Sequence, residues 1–183
     1  MNNRIMNGKE ILSDLIRYNL DVVFCGTAAG PNSAKSEHYY AHKGNKFYSV
    51  LAETGLTTSQ IKPENFSELV NYGIGLTDLS KHAYGTDNQI NDDDYDTRRV
   101  YDLTIKYSPK ILAFNGKNAA QEFLGRWVDY GEQREMVGTT RIFVLPSTTS
   151  GRGRKYWDQN YWSQLSQIIN NKIFRFIMLL FKS

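Results

Sequence analysis

The chain has 183 residues, 40% hydrophobic and 22% charged, enough for one domain with a sizeable core and too apolar for disorder to be the default. Its formal charge is only +3, but residues 151–183 carry six Lys/Arg against one acid, Asp158, while Asp92, Asp93 and Asp94 stand together, so the charge is segregated rather than high. The single cysteine, Cys25, excludes an internal disulfide and a cysteine-based metal cluster and fits a reducing, cytoplasmic compartment.

Leu12, Leu15 and Ile16 have helical spacing, ending before a strand over 21–25. Phe47, Val50 and Leu51 predict a second helix from Asn45, which Gly55 terminates. Pro63-Glu64 opens a third, running to Asn71, and Gly73 to Leu79 reads as a short central strand. From Asn91 the acids at 92–94 suit the positive end of a helix, and Val100, Leu103 and Tyr107 follow on one face until Ser108-Pro109 stops it. Lys110 to Asn115 is the next strand, Gly116 to Leu124 a helix and Arg141 to Leu145 a fourth strand. Trp157 to Asn170 is the closing helix. Strands alternating with helices imply an α/β fold, a three-layer α/β/α sandwich around a mostly parallel four- to five-stranded sheet. We assign residues 1–170 to a single domain and 171–183 to an apolar extension. The run Ile173 to Phe181 is apolar except for Arg175 but far short of the ~20 residues of a membrane span. It reads as a packing or partner-binding segment, with a membrane-surface anchor as the alternative. The first twenty residues lack the continuous apolar stretch of a signal peptide.

Two strands end abruptly in loops of small residues, Gly26-Thr27-Ala28-Ala29-Gly30 and Pro146-Ser147-Thr148-Thr149-Ser150-Gly151-Arg152. Such loops let backbone approach a ligand, and together they suggest one site at the carboxyl edge of the sheet. Arg152, Arg154 and Lys155 in the second make the ligand anionic.

Five ordered segments resemble the mismatch-specific branch of the uracil-DNA glycosylase superfamily, the mismatch uracil and thymine-DNA glycosylases. They are Gly26 to Gly30, His38 to Phe47, Gly73 to Asp78, Phe114-Asn115-Gly116-Lys117 and Leu145-Pro146-Ser147. The resemblance implies an enzyme that swings a damaged or mismatched base out of double-stranded DNA and hydrolyses its bond to the sugar, with no metal or organic cofactor. It implies a pocket of Gly26, Thr27, Ala28, Tyr40, Asn45 and Ser147, with Tyr40 as the stacking platform. Asn45 also opens a helix, so a capping role is as well supported as a binding one. Thr148, Thr149 and Ser150 would grip phosphates. Arg152 would be the wedge filling the vacated space, with Gly151 and Arg154 as alternatives because this loop is one residue longer than usual. Arg154 and Lys155 complete the expected DNA contacts. His38, His42 and His82 are not read as a metal site.

One departure decides the chemistry. The family's first loop reads Gly-Ile-Asn-Pro-Gly, and its asparagine positions the attacking water; here that position is Ala28, whose methyl group can neither orient nor deprotonate water. Asp78 is the expected substitute, as base or as a charge stabilising the sugar cation, with Asp87 second and a capping role for Asp78 as the alternative. The expectation is therefore a monomeric, monofunctional glycosylase removing uracil from mismatches or other weakened pairs. Hypoxanthine or thymine as substrate, or loss of hydrolysis with retained damage binding, are the alternatives.

Overall fold

The structure is a computed structural model that describes residues 9–149 and 157–180, the stretch 172–180 by its backbone alone. Five strands form one sheet in the order β2-β1-β3-β5-β4, with β1 at Val22–Gly26, β2 at Ile74–Asp78, β3 at Ile111–Asn115, β4 at Gly131–Val137 and β5 at Thr140–Leu145. The first four in that order are parallel, and β4 runs antiparallel beside β5. Every residue of β1 is buried, which is why its sequence is a continuous apolar run rather than an alternation. Val22 and Phe24 face one core layer with Phe47 and Trp162, while Val23 and Cys25 face the other with Val100 and Phe114. The helices are α1 at Pro31–Ser36, α2 at Phe47–Glu53, α3 at Thr97–Tyr107, α4 at Lys117–Leu124 and α5 at Gln159–Leu180.

Several elements differ from the sequence expectation. Residues 12–16 are not a helix: Leu15 exchanges backbone hydrogen bonds of 2.8 and 2.9 Å with Leu76 along the outer side of β2. A segment this short cannot nucleate a helix alone, and here it satisfies an otherwise open strand edge. Residues 63–72 form 3-10 turns kinked at Asn65 rather than an α-helix. The stretch from Asn91 divides into a 3-10 turn at Asp92–Asp94 and then α3, because Asp96 accepts the Arg99 amide and starts a new helix. The strand β4 and the short α1 were not read from sequence at all. The closing helix continues unbroken through the predicted extension to Leu180.

The chain leaves β1 for β2 on one side and reaches β3 on the other, so the carboxyl ends of β1 and β3 flank the switch point where ligands of such sheets bind. Gly26 is paired with Asp78, Cys25 with Phe114, and Asn115 with Leu145. Asp78, Gly26, Asn115 and Leu145 thus form one row across the top of the sheet.

Candidate active site

The first loop is fixed by its neighbour. The carbonyls of Gly26, Thr27 and Ala29 accept from the amides of Leu79, Ser80 and Gly85 at 2.8–2.9 Å, zipping the loop to the chain that follows β2. A Cβ on Gly26 would lie 2.5 Å from Asp78 Oδ1 and 3.5 Å from Tyr40 Oη, so only glycine lets the carboxylate and the phenol approach the strand this closely. Tyr40 takes a left-handed backbone, φ 54°, and stacks on Phe47 with ring centres 4.0 Å apart. One face of its ring is therefore occupied. The Tyr40 hydroxyl is buried against the side-chain amide of Asn115, which also holds Thr148. Asn45 Oδ1 accepts the Phe47 amide at 2.9 Å, a turn that leads into α2, whose cap position is Lys46.

Loop 146–149 is pinned from three directions. Asn115 grips Thr148 twice, its Nδ2 donating to Oγ1 at 2.9 Å and its Oδ1 accepting the Thr148 amide at 3.0 Å. The Thr148 carbonyl accepts from Lys46 N at 2.9 Å, and the Pro146 carbonyl from the indole of Trp162 at 3.1 Å. Thr148 is fully buried, so its hydroxyl and amide hold the loop in shape and do not face phosphate as expected. Ser147 packs against Gly116, and Thr149 is exposed. Ser150, Gly151, Arg152, Arg154 and Lys155 lie outside the described residues. Thr148→Val is expected to strand the half-buried Asn115 amide and lower stability by about 1–3 kcal/mol; urea unfolding measures it.

Beneath Asp78 lies a charge network that sequence reasoning missed. Lys81, with a side chain only 2% exposed, donates to Asp14 Oδ1 at 2.5 Å, to the Leu12 carbonyl at 2.8 Å and to Tyr39 Oη at 2.8 Å. Arg99 donates to Asp14 Oδ2 at 2.6 Å and to the Asp78 carbonyl, and the Thr77 hydroxyl donates to Asp14 Oδ1 at 2.6 Å. The one sequence hint was the density of polar residues in Thr77-Asp78-Leu79-Ser80-Lys81 directly after an apolar strand. The Asp78 carboxyl is buried, and desolvation pushes it up to about 7; Lys81 and Arg99 oppose the rise, as does a backbone hydrogen bond at Gly26, and Asp14 adds to it. Asp87, by contrast, is exposed. Its Oδ1 accepts from Thr27 Oγ1 at 2.7 Å and its Oδ2 from Asn118 Nδ2 at 2.6 Å.

Among the described residues, no group of three or more His, Cys, Asp or Glu could hold a metal ion, and no helix is long and apolar enough to cross a membrane. The fold is similar to the solution NMR structure of a "putative Uracil DNA glycosylase" from Methanosarcina acetivorans, at a TM-score of 0.59 and 18% identity over 87% of this chain and 95% of that one. The sequence model of the Uracil DNA glycosylase superfamily matches residues 13–166, a span that takes in the first loop, the polar row and the pinned loop after β5. With most of its length and all of the described strands inside that match, the chain belongs to the uracil DNA glycosylase superfamily.

Proposed function

We propose that this protein is a monofunctional DNA glycosylase that removes uracil, most readily from G:U mismatches and other weakened pairs, and leaves an abasic site. The observation that carries this is the sheet edge beside the crevice of the β1/β3 switch point, where Gly26 alone lets the Asp78 carboxylate and the Tyr40 phenol come so close to the strand. In this reading Tyr40 is the platform on which the base stacks, which recovers roughly 1–3 kcal/mol against the cost of flipping. Asp78 lies under the first loop, where its negative charge stabilises the cation that grows on the sugar as the base departs. Thr149 and the basic residues from Arg152 to Lys155 supply phosphate contacts, with Arg152 as the wedge. No lysine is placed as a Schiff-base nucleophile in this reading, so strand cleavage is not part of the reaction.

The purified protein is expected to convert uracil-containing duplexes to alkali-labile abasic strands in the presence of chelator, with guanine opposite giving the faster excision. Affinity should fall steeply with added salt, since phosphate contacts dominate such interfaces. Ala28 in place of the family's asparagine favours one second reading, a damage-binding protein that has lost hydrolysis. Retained binding with uracil, thymine and hypoxanthine all left intact would establish that reading and refute ours.

A further inference from the structure

We propose that Asp87 holds and deprotonates the attacking water, taking the place of the asparagine that Ala28 replaces; the assignment rests on the glycosylase reading above. Two strand ends border the crevice, and Asp87 is tied to both. Thr27, one residue from Ala28 in the loop after β1, donates to one of its oxygens, and Asn118, in the first turn of α4 after β3, donates to the other. A carboxylate has about four acceptor positions, so each oxygen keeps one for water after these bonds. Asp87 is exposed, whereas Asp78 is 3% exposed and closed off by the backbone of Gly26. Water bound to Asp87 would stand beside the loop that ends β1, where this assignment puts the sugar of a flipped nucleotide.

The chemistry balances without a co-reactant. The bond from C1′ to the base nitrogen breaks and its electron pair leaves with the base. The water oxygen bonds to C1′ and gives one proton to Asp87, which releases it to solvent, and the base takes up a proton in turn. Asp78 acts through its charge in the same step and does not touch the water.

A carboxylate bound twice could instead be a staple that fastens the chain after β2 over the crevice, and two variants separate these roles. In Asp87→Asn the Oδ1 still accepts from Thr27, and a flipped Asn118 amide can accept from the new one, so the tethers survive while the base is lost. Asn118→Ala keeps the carboxylate and removes one tether. Single-turnover excision from a uracil duplex should fall about 10²-fold or more in Asp87→Asn, with affinity for abasic-site DNA within about twofold of the parent. Asn118→Ala should lose no more than about tenfold. Excision by Asp87→Asn within threefold of the parent, or an Asn118→Ala loss as large as that of Asp87→Asn, overturns the assignment and leaves the glycosylase reading standing. A parent protein that binds but excises no base overturns both.

Discussion

Asp78→Asn is expected to give a protein that is slower as an enzyme and more stable above neutral pH. Burial holds the folded carboxyl up at about 7 from an ordinary 3.8, so between those values the folded state binds a proton that the unfolded state has released. The stability associated with this group is therefore greatest below about pH 4, declines as the pH rises, and is fully lost above about 7. The amount is on the order of a few kcal/mol, at roughly 1.4 kcal/mol for each unit between the two values. Asparagine keeps the shape and an acceptor for the Gly26 amide but has nothing to ionise. Guanidinium unfolding at pH 5 and pH 8 should show the variant gaining on the parent at the higher pH; a difference that is the same at both would mean the carboxyl is not held in its neutral form. Single-turnover excision should drop by about 10²-fold, while abasic-site binding changes little. A buried group that costs stability where it aids the reaction is the usual mark of a functional site. Unchanged excision would falsify the catalytic role proposed for Asp78 without touching that proposed for Asp87.

Lys81→Met should be the most destabilising single change in the site region. Its ammonium is buried with three partners, Asp14, the Leu12 carbonyl and Tyr39, and removing it leaves the Asp14 carboxylate with only Arg99 and Thr77 and leaves Asp78 without its strongest opposing charge. Breaking a buried pair by deleting one partner costs about 3–5 kcal/mol, more than the pair itself contributes relative to an apolar isostere. The double variant Asp14→Leu with Lys81→Met should recover much of that loss, and a double-mutant cycle in urea measures the coupling. A single variant that unfolds within about 1 kcal/mol of the parent would mean Lys81 is not held in this network in solution.

How far the residues disclosed all this depends on what each signal encodes. β1 and β3 were legible because full burial on both faces requires uninterrupted apolar runs, and the first loop because its glycines and alanines interrupt that pattern abruptly. β4 was not: Gly-Glu-Gln-Arg-Glu-Met-Val is an edge strand whose polar side chains meet solvent and Arg141, so it lacks the apolar signature of the interior. Spacing alone made residues 12–16 a helix, whereas the unpaired edge of β2 made them a bridge. The same limit applies to the site. Gly26 stands out in the local pattern, while Tyr40 and Asp78 are singled out only by the family resemblance. The Asp14, Lys81 and Arg99 network could not, since its members are up to 85 residues apart and only the folded topology brings them together. Thr148 was misread because a hydroxyl in a small-residue loop looks the same whether it faces a phosphate or an asparagine.

The lone thiol has a practical consequence. Cys25 is completely buried on β1, immediately before Gly26, and burial raises its pKa well above the ordinary value. A protonated sulfur walled in on a central strand does not meet a reagent in solution, and β1 is bonded to a strand on each side. Opening it therefore means losing the sheet. Alkylation at position 25 is thus a clock for global unfolding, read without a label added to the protein, and it runs from the central strand that ends at Gly26.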